Sequence, residues 1–138
     1  MALSDSVQPR KQRRARREAP LHARQKLVHA HVSKDARERN RIERRSAAVR
    51  EGDKVRIMRG KFRGHTGKVT EVDLKSLKVY VEGAVARKAK GQEVPAAIEP
   101  SNLCITEFDF SDKRRKAILE RKGMPGSGAA NAGAPASG

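Results

Sequence analysis

The chain has 138 residues, 32 Lys and Arg against 16 Asp and Glu, a formal net charge of +16 and one cysteine, Cys104. This length holds at most one ordinary domain, and a single cysteine excludes an intrachain disulfide or a cysteine-based metal cluster, so a reducing compartment is expected. No apolar run approaches the ~20 residues that span a bilayer, and the N-terminus lacks the apolar stretch of a signal peptide, which makes a soluble intracellular protein the expectation.

The charge is uneven. Residues 1–50 carry 15 Lys and Arg against 5 Asp and Glu, residues 51–112 carry 11 against 10, and residues 113–138 carry 6 against 1. The middle is a nearly neutral, foldable unit between two basic flanks. Met1 to Ala19 is polar, with Arg10, Lys11, Arg13, Arg14, Arg16 and Arg17 nearly consecutive. Like charges this dense favour an extended tail in free solution. Pro20 is placed to open a helix. Leu21, Leu27 and Val28 give it a thin apolar stripe over residues 21–30, with His22, Arg24 and Lys26 elsewhere around it. Ser33 is placed to cap a second short helix, Lys34 to Arg39, ahead of a basic stretch to Arg50. Neither helix has enough apolar surface to be stable alone.

From Glu51 to Asp112 the pattern changes to alternation. Val55 and Ile57 point inward, then Leu77, Val79 and Val81, with Lys78, Tyr80 and Glu82 outward. The short connection Leu74–Lys75–Ser76 predicts a hairpin of Val69–Leu74 with Leu77–Val81. Val69 and Val72 are three apart, which predicts a bulge near Thr70 or Glu71. Arg87 to Gln92 reads as a basic turn, and Val94–Ile98 and Leu103–Thr106 as two further strands. Five short strands with bends and no helix between them predict a mainly β fold, a small curved barrel. Its 62 residues fall below the ~70–80 at which one core is comfortably stable, so the flanks or a partner are expected to support it. Ser111, followed by Asp112, is placed to cap a basic C-terminal helix over 113–123. Ile118 and Leu119 form its apolar face, and Gly123 and Pro125 end it. Residues 124–138 are dominated by Gly, Ala and Ser and read as a flexible tail. The expected organisation is thus a basic extension with short helices (1–50), a barrel (51–112), a basic helix (113–123) and a tail (124–138).

One loop carries the candidate site. Gly60, Gly64 and Gly67 interleave with Arg59, Lys61, Arg63 and Lys68. The glycines permit a tight turn with positive φ and, lacking Cβ, let phosphates approach. Shared sign with the flanks makes Arg59, Lys61, Arg63 and Lys68 candidate phosphate contacts rather than a merely solvated loop. The same holds for Arg10, Lys11, Arg13, Arg14, Arg16 and Arg17, for Arg24 and Lys26, and for Lys113, Arg114, Arg115, Lys116, Arg121 and Lys122. His22 is a candidate hydrogen-bond donor to the same partner, as is His29. The basic flanks contain no aromatic residue, which argues against a membrane surface as the polyanion. Phe62 and Tyr80 either stack on a base or cover the barrel. The four histidines have no metal-ligand spacing, and Cys104 reads as a small buried hydrophobe on the last strand. Glu71 and Asp73 read as a solvated face. No catalytic residue, metal, cofactor or small-molecule substrate is expected.

The pattern Gly-x-x-Val-x-Ile-x-x-Gly-x-x-x-Gly-x-x-Gly-x-Val from Gly52 resembles the KOW motif of small SH3-like barrels in ribosomal proteins and transcription elongation factors. Three flanking segments narrow the resemblance: Ala19–Pro20–Leu21–His22 with Arg24, Gln25 and Lys26; Pro100–Ser101–Asn102–Leu103 with Ile105–Thr106; and Lys113–Arg114–Arg115–Lys116 with Ile118–Leu119–Glu120–Arg121–Lys122. Together they resemble the universal large-subunit ribosomal protein twenty-four family, numbered twenty-six in eukaryotes, from about Arg10 to Lys122. The loop from Gly60 to Gly67 lacks the extra residue associated with the eukaryotic members and aligns with the archaeal ones. The resemblance implies a five-stranded SH3-like barrel and a cytoplasmic, ribosomal location. It implies binding to large-subunit rRNA near the outer mouth of the nascent-chain exit tunnel, contact with neighbouring large-subunit ribosomal proteins, and a role in subunit assembly. Two alternatives remain: a KOW protein-binding module that contacts polymerase, and a general DNA-compacting protein, since phosphate contacts alone do not specify RNA.

Overall fold

The structure, a computed structural model, describes residues 4–120. The predicted C-terminal helix end, with Arg121, Lys122, Gly123 and Pro125, and the tail to Gly138 lie outside the described residues. In chain order the elements are α1 (Pro9–Glu18), α2 (Leu21–Leu27), β1 (His29–Val32), α3 (Lys34–Arg39), β2 (Ser46–Ala48), β3 (Lys54–Ile57), β4 (Thr66–Asp73), β5 (Lys78–Val81), β6 (Val85–Arg87), β7 (Glu93–Pro95), a 3-10 turn (Pro100–Asn102), β8 (Leu103–Glu107) and α4 (Lys113–Glu120). The fold is mainly β. Six strands form one mixed sheet in the order β2-β1-β8-β3-β4-β5, and β6 pairs with β7 in a separate hairpin.

The β4–β5 hairpin and its bulge lie where the valine spacing places them. Val69 pairs with Val81, and the register slips before Glu71 pairs with Tyr80. The turn is built by Asp73, whose Oδ1 accepts the N–H groups of Lys75 (2.7 Å) and Ser76 (3.2 Å) and whose Oδ2 accepts the Ser76 hydroxyl (2.6 Å). These bonds, that from the Ser76 hydroxyl first, hold the Asp73 carboxyl below its ordinary range. So Asp73 is a turn former rather than part of a plain solvated face. Leu77 belongs to the turn and not to the strand. Its φ is +59°, and burial of its side chain, 3% exposed, offsets the left-handed strain.

Three expectations for the N-terminal flank need correction. The stretch to Ala19 is not extended: residues 9–18 are helical. Pro9 stands at the start, and Arg14 Nε donates to Glu18 Oε1 at 2.9 Å one turn on. The second helix stops at Leu27 rather than Ala30, because His29–Val32 leaves it to pair in parallel with β8. The stretch before Arg50 contains β2, antiparallel to β1. Ser33 caps α3 as expected, its Oγ accepting the Ala36 N–H at 3.1 Å. The expected basic turn Arg87–Gln92 loses Arg87 to β6, which the alternation does not predict, and the expected strand Val94–Ile98 is β7, Glu93–Pro95, with Ile98 in an isolated bridge to Val79.

These flank elements complete the core. Val28, Ala30, Val32, Ala36, Ile42, Ala47 and Val49 pack with Val55, Ile57, Val69, Val79, Val81, Leu103 and Ile105. A 62-residue segment short of apolar surface thus draws the rest from its flank. Leu119 of α4 joins the same cluster, whereas its neighbour Ile118 is 43% exposed. The α4 cap is Asp112 rather than Ser111: its Oδ1 accepts the Arg114 N–H at 2.8 Å, and its carbonyl accepts the Lys116 N–H.

Two charged residues are buried among the described residues, Asp53 (0% exposed) and Arg115 (5%). Arg115 grips both Asp53 oxygens at 2.5 Å and also donates to the carbonyls of Asp109 (3.0 Å) and Ala48 (3.2 Å). Asp53 further accepts the N–H groups of Arg50 (2.9 Å) and Asp109 (3.1 Å). The Phe108 ring lies 5.2 Å from the guanidinium. This bidentate pair clasps α4 to the start of β3 and to β2.

Candidate nucleic-acid interface

The glycine loop joins β3 to β4 and is closed by its own backbone. Ile57 N–H donates to the His65 carbonyl (2.9 Å) and Gly64 N–H to the Ile57 carbonyl (2.8 Å). Gly60 and Gly64 have φ of +91° and +88°, with open space where a Cβ would stand. They are turn glycines that also leave the loop surface bare. Gly67 differs from expectation. It lies within β4 without positive φ, and a Cβ there would stand 2.5 Å from the Glu82 carbonyl oxygen. Its role is close packing against the end of β5, not phosphate approach. Gly67→Ala should therefore cost about 2–3 kcal/mol, in the upper part of the overpacking range. Gly64→Ala should cost only the ~1 kcal/mol of a left-handed residue. Chemical denaturation of both variants checks this, and an equal or smaller loss at Gly67 would count against the packing role.

Arg59, Lys61, Arg63 and Lys68 are all exposed, and none forms an ion pair among the described residues. Lys61 Nζ lies 6.0 Å from the Phe62 ring, and Phe62 packs half-buried against the core. That makes Phe62 a cover rather than a free stacking platform. Along α1, Arg10, Lys11, Arg13 and Arg17 are exposed cations without a carboxylate partner among the described residues, while Arg14 pairs with Glu18 and Arg16 lies 3.9 Å from Glu99. In α2, His22 and Lys26 are exposed, and half-buried Arg24 donates to the Arg17 carbonyl, tying α2 to α1. His29 is held below the usual imidazole range by burial, then by the Arg44 charge.

The structure brings two of the three basic segments together. Met58, at the start of the loop, donates to the Asn102 carbonyl at 2.7 Å, and Glu99, beside that 3-10 turn, pairs with Arg16 of α1. The loop and the N-terminal arm therefore share one end of the sheet. Helix α4 is clasped at the other end, where β3 begins and β8 ends. Lys113, Arg114 and Lys116 are exposed there, Lys116 at 3.9 Å from Glu120. Arg115 is not available to a phosphate, because it is buried on Asp53. Cys104 is half-exposed rather than core, since Leu103 and Ile105 take the inward positions of β8. Burial pushes its thiol up, against the nearby Arg56 charge. Among the described residues no group of three or more His, Cys, Asp or Glu is placed to hold a metal ion, and no helix is long and apolar enough to cross a membrane.

A mainly β protein with a bare cationic loop and a cationic arm at one end of its sheet has the charge and the exposed surface of a structural protein that meets a polyanion. The comparisons with known proteins give it a family. Residues 6–122 match the family model that joins the eukaryotic ribosomal proteins L26 to their archaeal counterparts, numbered twenty-four. A relative described as large ribosomal subunit protein uL24, from Pyrobaculum islandicum, is 47% identical over 122 residues, covering 88% of this chain and 98% of its own length. The chain belongs to this ribosomal protein family, and it is a structural constituent rather than an enzyme.

Proposed function

We propose that the chain is a structural constituent of the large ribosomal subunit in the cytoplasm and that it binds large-subunit rRNA. The observation that carries this is the set of exposed cations without ion-pair partners among the described residues on a loop closed by its own backbone, Arg59, Lys61, Arg63 and Lys68, in a chain of this family. The contacts are phosphates reached by that loop over Gly60 and Gly64, by Arg10, Lys11, Arg13, Arg14, Arg16 and Arg17, and by His22, Arg24 and Lys26. At the far end Lys113, Arg114 and Lys116 serve the same purpose, and Arg121 and Lys122, which follow them in the sequence, are read the same way. Arg115 and Gly67 leave this set for the structural reasons given above.

The region 51–112 is read as an SH3-like barrel of the KOW type, with residues 1–50 as a basic extension that also lends it strands, 113–123 as a basic helix and 124–138 as a tail. The same reading puts the chain near the outer mouth of the exit tunnel, beside neighbouring ribosomal proteins, with a part in subunit assembly. Counterion release dominates such binding. If roughly 8 phosphates are neutralised, log K should fall against log salt with a slope of about −6 to −7. A flat salt response of binding to an rRNA fragment would refute the reading. Competition between duplex DNA and an rRNA domain separates it from a DNA-compacting role.

A further inference from the structure

Sheet register places five side chains outside the candidate set in one transverse row. His31 pairs with Ser46 on β2 and with Cys104 on β8. Cys104 pairs with Arg56 on β3, and Arg56 with Thr66 on β4. Directly paired residues share a face of the sheet. The row Ser46–His31–Cys104–Arg56–Thr66 therefore crosses five strands, about 19 Å at ~4.8 Å per strand. The residues that alternate with it, Ala30, Val32, Ala47, Val55, Ile57, Leu103 and Ile105, are buried. The row thus faces away from the core. Ser46, His31, Arg56 and Thr66 are exposed and Cys104 is half-exposed.

The row offers two hydroxyls, an imidazole, a thiol and a guanidinium, and no carboxylate. The next row differs, since its Lys54 and Lys68 pair with each other in register and Lys54 Nζ lies 3.4 Å from Glu107. The ends of the row lead to the two basic segments that the fold separates. Thr66 follows directly on the glycine loop. Ser46 lines a small cavity, about 110 Å³, with Arg44 and with Ile118 and Leu119 of α4. A protein partner would ask for aromatic or aliphatic anchors at the centre of such a face, and the row has none. Hydrogen-bond donors around one guanidinium suit phosphate and 2′-hydroxyl oxygens.

We propose that this row is a second rRNA-docking surface, on which a sugar–phosphate strand crosses the sheet from the glycine loop to α4. The inference rests on the rRNA-binding reading above. Its test uses the full chain and protein-free large-subunit rRNA. The double variant Arg56→Gln/Thr66→Val should bind about three- to tenfold more weakly near 0.15 M salt, with a salt slope shallower by about 0.7 for one phosphate fewer and an unchanged thermal midpoint. Unchanged affinity and slope would overturn the proposal. In a second arm, a photocrosslinker on Thr66→Cys in a Cys104→Ser background is placed in reconstituted large subunits. It should tag rRNA, and tagging another ribosomal protein instead would overturn the proposal. If the unsubstituted chain itself fails to bind rRNA, the ribosomal reading falls first.

Discussion

Asp53→Ala is expected to cost the fold about 3–5 kcal/mol, the usual penalty for removing one partner of a buried ion pair. Asp53 is fully buried and accepts hydrogen bonds from Arg50, Asp109 and both terminal nitrogens of Arg115. Without the carboxylate, the Arg115 guanidinium remains in the interior with only carbonyls to bind. A domain of this size has ~5–15 kcal/mol in total, so the variant should be largely unfolded well below the melting temperature of the parent. Two features separate this from simple loss of packing. First, Asp53→Ala/Arg115→Met should be more stable than Asp53→Ala alone, because the stranded charge is gone. Second, the loss should persist in high salt, where exposed pairs such as Arg14–Glu18 are screened. Urea denaturation at two salt concentrations gives both answers. A double variant no more stable than the single would show that the pair matters only as packed volume.

Removal of residues 1–18 should have the largest effect on binding and almost none on stability. The deletion takes Arg10, Lys11, Arg13, Arg14, Arg16 and Arg17 but keeps Ala19, which is 6% exposed and packed. No residue of helix α1 is itself buried. Its ties to the rest include the exposed Arg16–Glu99 pair and the bond from Arg24 to the Arg17 carbonyl, and exposed pairs contribute ~0–1 kcal/mol. Each phosphate left unneutralised flattens the slope by about 0.7, so five of them would flatten it by about 3–4 and weaken binding by two or more orders of magnitude near 0.1 M salt. Filter binding across a salt series, beside a thermal melt, checks both halves. Full retention of affinity would remove α1 from the set of contacts. A collapse in melting temperature would mean that α1 belongs to the fold.

Some of this was legible in the sequence because its cause is local. Val69 and Val72, three apart in an alternating strand, forced the bulge. Ser33 could cap α3 because its partner, Ala36, is three residues away. What was illegible depends on distant partners. His29–Val32 has a spacing compatible with a helical stripe, and only parallel pairing with β8 makes it a strand. Ser46–Ala48 is three small residues with no signal of its own. Arg115 looks like its neighbours Arg114 and Lys116, and its carboxylate is 62 residues away. One sign was present: Arg115 stands four residues before Leu119, on the apolar face of α4. The outward row at His31, Arg56 and Thr66 needs the register of four strands before it exists at all.

The strand order also sets a timetable. Among the described residues β8 is the last strand in the sequence, yet it lies inside the sheet, between β1 and β3. Without β8, no strand pairing links β1 and β2 to β3, β4 and β5, and β1 and β3 each keep an unpaired edge. A single late strand must join them, in parallel on one side and antiparallel on the other. Such long-range closure is slow compared with the formation of a helix or hairpin. The cationic arm leads into β1, whose inner edge is closed only by β8, so the arm precedes in the sequence the strand that completes the sheet beneath it.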